Sequence, residues 1–93
     1  MVHVFFSGAL KAVTNGVARL ELPDFAEGDL DTLLRSLAGR FGPSFSDRLT
    51  EDGHLRRYVN VFVNGEDVRF ARGLQTPVGP ADSVDFIPAV AGG

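Results

Sequence analysis

The 93-residue chain contains no cysteine. This absence excludes disulfide bonds, thiolate catalysis, iron–sulfur ligation and cysteine zinc sites, so packing alone must hold the fold. Basic side chains are also in the minority. The chain has nine Lys and Arg and twelve Asp and Glu, so its net charge is −3. A protein that tracks a phosphate backbone needs the opposite balance of charge, so we expect no nucleic-acid partner.

The chain has neither an apolar run long enough to span a membrane nor a basic signal-peptide start, so we expect a cytoplasmic protein with no membrane partner.

Side chains suited to catalysis are scarce. His3 falls in a predicted strand and His54 in a polar segment, and the chain has neither a paired-histidine motif nor a Gly-x-Ser-x-Gly nucleophile turn. A lone histidine is most often a solvated or hydrogen-bonded side chain. The acidic residues at 66–67 and 82–85 do not follow the spacing of a calcium loop. The sequence therefore predicts no catalytic residue, no metal ligand and no bound cofactor in the chain itself.

What the chain does contain is enough apolar material for one core. Apolar residues make up 44% of the sequence and include eight phenylalanines, and the length is that of a single domain. Several segments alternate in side-chain character with the period of two that is typical of strands. These predicted strands are residues 2–6, 17–22, 59–63 and 83–88, with residues 66–70 as a short strand after the Asn64-Gly65 turn.

One helix is predicted after Asp29, which suits an N-terminal cap. The Gly42-Pro43 pair ends this helix. Residues 44–56 are polar and have no sustained period, so we interpret them as a loop with at most one helical turn. The apolar residues of the helix recur at the spacing of one buried stripe and are Leu30, Leu33, Leu34, Leu37 and Phe41.

The order of these elements is strand, strand, helix, strand, short strand, strand. A single helical stripe covers only one face of a sheet, so this order predicts a two-layer α+β roll with a mixed sheet of about four or five strands. The arrangement is the β-grasp fold of ubiquitin-like proteins. We expect the folded domain to span residues 1–88 and residues 89–93 to form a flexible tail.

The tail is suited to carrying a carboxylate into another protein's active site. It has no charged side chain, and five residues after Pro88 extend over roughly 17 Å. Gly92 and Gly93 have no Cβ, so a narrow channel can close around their backbone. The carboxylate of Gly93 is a poor electrophile until a leaving group such as AMP replaces one of its oxygens. The alternative is a frayed end or a cloning remnant.

The chain resembles the ubiquitin-like sulfur carriers of the MoaD/ThiS family. The resemblance rests on the strand and turn of residues 61–66, on Asp82-Ser83-Val84 at the start of the last strand, and on Gly92-Gly93. Within the family, residues 58–64, 66–70 and 88–93 look most like the CysO branch, which serves one route to cysteine. One departure is Pro80-Ala81-Asp82, because the family more often has an acidic residue, glycine and aspartate there.

The resemblance implies a carrier and not an enzyme. An adenylyltransferase of the ubiquitin-activating type would use ATP with Mg²⁺ to form an acyl-adenylate at Gly93, and sulfur transfer would turn it into a thiocarboxylate. The tail would then deliver sulfide to an acceptor enzyme, for the CysO branch a pyridoxal-phosphate-dependent cysteine synthase, and a metalloprotease that releases the product is a further partner. Gly93 would be the functional carboxylate and Gly92 the clearance residue, with a tether of Ala89, Val90 and Ala91.

Other functions remain open at this stage. A ubiquitin-like modifier would form an isopeptide bond from Gly93 to lysine, and a pure binding module would leave the terminus unchanged. A carrier of this kind also fits molybdopterin, thiamin or a thiolated natural product as the final acceptor. The sulfur source and the oligomeric state are not determined by the sequence.

A docking face is predicted on the sheet, opposite the helix. If the first, last and third long strands are adjacent, Phe5, Ile87 and Phe62 point away from the core together. Exposed apolar clusters often mark protein contacts, so we expect this face to meet the activating or the acceptor enzyme. The alternative is that residues 70–75 cover it. The basic residues near the Asn64-Gly65 turn could meet an acidic rim on a partner, but we interpret them as dispersed surface charge, and they are Arg56, Arg57, Arg69 and Arg72.

Overall fold

The structure, a computed structural model, describes residues 1–88, and the predicted tail of residues 89–93 lies outside them. Over the described residues the chain forms two helices, nine strands and a few short 3-10 turns. The helices are α1 (Leu30–Phe41) and α2 (Pro43–Leu49). The strands are β1 (Val2–Phe6), β2 (Arg19–Leu22), β3 (Gly28–Asp29), β4 (Thr50–Glu51), β5 (His54–Leu55), β6 (Val59–Val63), β7 (Glu66–Asp67), β8 (Pro77–Val78) and β9 (Ser83–Pro88).

The main sheet has five strands in the order β2-β1-β9-β6-β7. The pair β1 and β9 is parallel, and the other neighbouring strands of this sheet are antiparallel. Two short antiparallel pairs, β3 with β8 and β4 with β5, lie outside it. The predicted mixed sheet, with the first, last and third long strands adjacent, is confirmed.

The core lies between α1 and one face of this sheet. Alternate residues of the three central strands are fully buried, as are the leucines of the α1 stripe. Phenylalanine rings fill part of the core, with Phe6 stacked on Phe86 at 5.4 Å between ring centroids. Phe45 completes the group with an edge-on contact to Phe6 at 5.9 Å. These aromatic contacts stabilise the layer beyond their buried area.

The α1 helix begins and ends where the sequence predicts. A carboxylate oxygen of Asp29 accepts hydrogen bonds from the backbone N–H and the hydroxyl of Thr32, each at 2.8 Å. The backbone hydrogen bond from Thr32 lowers the pKa of the Asp29 carboxyl. Gly42, at φ 96°, ends the helix in a conformation that favours glycine. Over residues 1–88, no helix has both the length and the apolar character that a membrane crossing requires.

The prediction of a loop for residues 44–56 is wrong over its first half. Pro43 begins α2 in the position where a missing N–H is harmless, and the helix buries Phe45 and Leu49 completely on one side. Two apolar residues four positions apart are enough to anchor a helix of this length, but they are too few to show a period. A tight β4-β5 hairpin follows, with positive φ at Asp52 and Gly53.

Two other segments differ from the predicted elements. The connection between the first two strands contains a 3-10 helix over Gly8–Val13, which buries Leu10, and β2 is shorter than predicted. The short strand predicted over residues 66–70 ends after two residues and continues as the 3-10 turn Val68–Phe70. The side chain of Asp67 accepts a hydrogen bond from the N–H of Arg69 and so turns the backbone away from the sheet.

The turn before β9 places Ala81 at φ 73°, in the left-handed region. Ala81 is the middle residue of the Pro80-Ala81-Asp82 segment, where the sequence departs from the pattern of the family that it resembles. A hydrogen bond from the Ala81 N–H to the Met1 carbonyl and the bonds of Asp82 to Gly79 and Asn64 hold the turn in place. The turn is therefore formed at the expense of backbone strain at a residue with a Cβ.

Replacing Ala81 with glycine is expected to stabilise the protein. Relief of the left-handed strain outweighs the extra entropy of glycine in the unfolded chain, and we expect a gain of about 0.5 to 1 kcal/mol in the free energy of unfolding. Urea unfolding measures this gain in the free energy of unfolding. Ala12→Gly, at an exposed position that has a negative φ, is the matched control and should lower stability. Equal losses from both variants would contradict this account of the turn.

Candidate functional site

The end of β9 fixes the point from which the predicted tail starts. Pro88, the last described residue, lies opposite Val59 in the antiparallel register with β6. On the other side, the N–H of Ser7 donates to the Phe86 carbonyl at 3.1 Å. Gly8, at φ 58°, packs so closely that an added Cβ would lie 3.2 Å from Cγ of Pro88. The root of the tail is therefore held between β6 and the first 3-10 helix, and the close contact of Gly8 with Pro88 is one that the sequence analysis missed.

The residues predicted to carry the chemistry lie outside the described part of the chain. These are the carboxylate residue Gly93, its neighbour Gly92, and the tether of Ala89, Val90 and Ala91. Their assigned roles stay predictions. The structure instead gives the position of the root and the surface beside it.

The outer face of the sheet carries the three predicted docking residues. Phe5 and Phe62 are half-buried and Ile87 is 39% exposed, and all three point away from α1. Ile87 directly precedes the tail root at Pro88. The predicted docking face is therefore continuous with the origin of the tail, and its role in binding stays a prediction.

A row of side chains crosses this face from one edge of the sheet to the other. In the strand register, Asp85 lies opposite Phe5 on one side and opposite Phe62 on the other. Arg19 pairs with Phe5, and its guanidinium carbon lies 5.9 Å from the centre of the Phe5 ring. Asp67 pairs with Phe62 at the far edge. The face is thus two aromatic rings with a carboxylate between them, an arrangement that only the register reveals.

The segment 70–75 does not cover Ile87. Phe70 is 87% exposed, and the turn Gly73–Gln75 packs against α1 in the other layer. Ile87 therefore stays exposed beside the tail root.

Neither histidine lies at the tail root. Nδ1 of His3 is 3.7 Å from a carboxylate oxygen of Glu21, and His54 is exposed in the β4-β5 hairpin. No cluster of three or more metal-ligating side chains occurs among residues 1–88.

Two open surface grooves of about 590 and 510 Å³ run beside residues 71–77, and neither is lined by Pro88 or by a predicted docking residue.

Comparison with known proteins identifies the family. The model described as the ThiS family matches residues 4–93. The sulfur carrier protein CysO of Mycobacterium tuberculosis is 44% identical over 72 residues, which cover 73% of this chain and 76% of that protein. Small archaeal modifier protein 3 of Haloferax volcanii is 39% identical over 70 residues, which cover 75% of this chain and 72% of that protein.

A solved structure agrees with these matches along the whole chain. A chain in the crystal structure of the Amycolatopsis orientalis BexX/CysO complex superposes with a TM-score of 0.86 at 32% identity, and the match covers 100% of both chains. The predicted β-grasp fold and the predicted resemblance are both confirmed. The chain therefore belongs to the ThiS family, and it is a ubiquitin-like sulfur carrier protein of the ThiS, MoaD and CysO type rather than an enzyme.

Proposed function

We propose that this carrier transports sulfur as a thiocarboxylate on Gly93 and delivers it to an acceptor enzyme of cysteine biosynthesis in the cytoplasm. The observation that carries the proposal is the family match, which extends to residue 93, together with the 44% identity to a CysO protein. The fixed root at Pro88 supports it, because the remaining five residues have the length to reach into a partner's active site.

The chemistry requires an activating partner. The Gly93 carboxylate attacks the α-phosphate of ATP, with Mg²⁺ on the phosphates, to give an acyl-adenylate and pyrophosphate. A sulfide equivalent then attacks the acyl carbon, the carbon–oxygen bond to AMP breaks, and a thiocarboxylate remains. We assign the first step to an adenylyltransferase of the ubiquitin-activating type. The acceptor is a pyridoxal-phosphate-dependent cysteine synthase, and a metalloprotease that releases the product completes the set of partners.

The docking face supplies the contact with these enzymes. Phe5, Phe62 and Ile87 offer an apolar surface beside the tail root, and Asp85 adds a single negative charge between the two rings. A partner surface with apolar side chains and one basic group complements this pattern. Docking here brings the partner next to the point where the tail begins, which positions the terminus for reaction.

Intact-mass analysis tests the proposal. Incubation of the chain with the purified adenylyltransferase, ATP, Mg²⁺ and a sulfur donor is expected to add about 16 Da, because sulfur replaces one oxygen of the carboxylate. Addition of the cysteine synthase, its co-substrate and the metalloprotease should then return the chain to its starting mass, because hydrolysis of the acyl bond releases the product and restores the carboxylate. Deletion of Gly93 is the control, and this variant should gain no mass.

Two other outcomes would overturn the proposal. A series of larger species, in which the chain is linked through Gly93 to lysines of other proteins, would mean that the chain is a modifier. Linkage to a second copy of this chain would have to use Lys11, its only lysine. No mass change under activating conditions would mean that the chain acts through binding alone.

A further inference from the structure

One edge of the main sheet is a strand with an open side. The strand β2 comes first in the order β2-β1-β9-β6-β7, so it pairs only with β1. Within the described part of the chain, no loop or turn forms a backbone hydrogen bond with Arg19 or Glu21 of this strand. A surface groove of about 240 Å³, lined by Leu22 and Phe25 among others, lies between the end of β2 and α1. The edge is therefore accessible to a further strand.

The hydrogen bonds between β1 and β2 determine which backbone groups of β2 are free. The N–H of Phe6 donates to the Ala18 carbonyl at 2.9 Å. In an antiparallel pair, successive residues alternate between bonding to the neighbouring strand and pointing away from it. Counted from Ala18, Leu20 bonds to β1, and Arg19 and Glu21 point their N–H and C=O groups out of the sheet edge.

These free groups match those of a second copy of the same strand. Two β2 strands that run antiparallel about a two-fold axis at Leu20 place Arg19 of each copy opposite Glu21 of the other. Both residues point outward, so each N–H of one copy meets a C=O of the other, as in a regular sheet. The axis repeats every contact, which is the property of a symmetric dimer interface.

The side chains select this register. Arg19 and Glu21 are exposed on the outer face of the sheet, and in this register each meets the opposite charge. On the α1 side, half-buried Leu20 meets the same residue of the other copy, and exposed Ala18 meets Leu22. The neighbouring registers that also match outward groups are centred on Arg19 or Glu21, and they place like charges opposite each other. A register between these would place outer-face side chains opposite those of the α1 side.

The contact that Arg19 and Glu21 make within one chain does not oppose this pairing. Nη2 of Arg19 is 3.4 Å from Oε1 of Glu21, and the two side chains are 66% and 42% exposed. An ion pair in such contact with water stabilises the chain little, so its exchange for a pair across the interface costs little. The Glu21 carboxylate has oxygens for both partners.

We propose that the chain forms a two-fold dimer through β2, in which the five-stranded sheets of two copies join into one continuous sheet. The proposal goes beyond the proposed function and does not depend on it. The pairing ends where the chain can no longer supply it. At one end Pro23 has no N–H, and at the other the N–H and C=O of Val17 already bond to Thr14.

The dimer keeps both copies accessible to partners. A two-fold axis perpendicular to the joined sheet leaves the outer faces of the two copies on the same side and both α1 helices on the other. The β9 strands of the two copies run in opposite directions, so the two Pro88 residues lie at opposite ends of the sheet. Dimerisation therefore covers neither the docking face nor the tail root.

The opposite edge of the sheet does not offer the same pairing. The strand β7 consists of Glu66 and Asp67 alone, so two copies of it would bring only carboxylates together. By contrast, β2 carries one charge of each sign at positions that exchange under the two-fold axis. A strand from another protein would need this same pattern in the reverse direction, and β2 itself supplies it.

Sedimentation equilibrium of the full chain tests the dimer. Two strands of four residues bury less area than the roughly 1,200 Å² of a stable complex, so the dimer should be weak. The apparent mass should rise from that of one chain to that of two between about 10 µM and 1 mM protein. The amide hydrogens of Arg19 and Glu21 should exchange more slowly over the same range, because they become bonded.

Charge reversal identifies the register. Arg19→Glu and Glu21→Arg each place like charges opposite each other twice, so each variant alone should dimerise at least tenfold more weakly than the wild type. An equal mixture of the two variants should recover the dimer, because one copy then carries two carboxylates and the other two guanidinium groups. Arg57→Glu, at an exposed position before β6, changes the charge as Arg19→Glu does and should dimerise like the wild type. Circular dichroism checks that each variant is folded.

Three results would overturn the proposal. The first is a wild-type chain that keeps the mass of one copy up to about 1 mM. The second is dimerisation of the two folded single variants with the wild-type affinity, which would mean that the dimer uses another surface. The third is a mixture of the variants that stays as weakly associated as each variant alone, which would exclude the pairing of Arg19 with Glu21.

Discussion

Replacing Phe45 with alanine is expected to lower the free energy of unfolding by about 3 to 5 kcal/mol. Phe45 is fully buried, and its ring contacts the rings of Phe6, Phe41 and Phe86 at centroid distances of 5.9, 5.5 and 6.5 Å. Removing the ring leaves a cavity between α2 and the sheet and breaks three aromatic contacts at once. For a domain of this size the melting temperature should fall by about 15 to 25 °C.

Thermal unfolding followed by circular dichroism provides the measurement. Phe70→Ala removes the same atoms from an exposed position and is the matched control, so its melting temperature should stay within about 2 °C of the wild type. A Phe45→Ala protein as stable as this control would mean that α2 does not pack on the sheet as described.

Replacing Phe62 with threonine should weaken binding to the partner enzymes by roughly 30-fold or more, as expected for loss of a central aromatic anchor of about 2 kcal/mol. Threonine is β-branched and suits a strand as phenylalanine does, so the sheet itself should remain folded. Isothermal titration calorimetry with the adenylyltransferase and the cysteine synthase gives the dissociation constants.

The register determines which substitution is informative at this position. Phe62 lies between Asp85 and Asp67 on neighbouring strands, so Phe62→Asp would place three carboxylates in one row and destabilise the sheet as well as the interface. Phe25→Thr changes a half-buried phenylalanine on the α1 side and serves as the control for general loss of packing. If both variants bind like the wild type, Phe62 takes no part in docking. If Phe62→Thr unfolds at a much lower temperature, the ring belongs to the core.

The main strands and α1 were predictable because their side chains alternate or recur with a clear period. Residues 2–6, 59–63 and 83–88 match β1, β6 and β9, and the cap at Asp29 matches the start of α1. The helix α2 was missed because only Phe45 and Leu49 anchor it. Periodicity needs several repeats to be visible, whereas burial of two residues suffices to hold a short helix against a sheet.

The candidate site, too, was predictable from the sequence only in part. The alternation within each strand determines which face a residue occupies, so the grouping of Phe5, Phe62 and Ile87 followed from the sequence. Neighbours on adjacent strands depend on register, which pairs residues far apart in the chain, and the position of Asp85 between two rings was therefore not visible. The close packing of Gly8 on Pro88 is likewise a contact between distant segments.

The parallel pairing of β1 with β9 determines how the protein responds to a pulling force. The two strands start at the same end, with His3 beside Ser83 and Phe6 beside Phe86. Tension applied between Met1 and Pro88 therefore loads all the backbone bonds of this pair together in shear and does not open them one after another. A pull on the chain beyond Pro88 is therefore resisted by the whole of this pair at once, and the pair forms a mechanically stiff anchor at the end of the described domain.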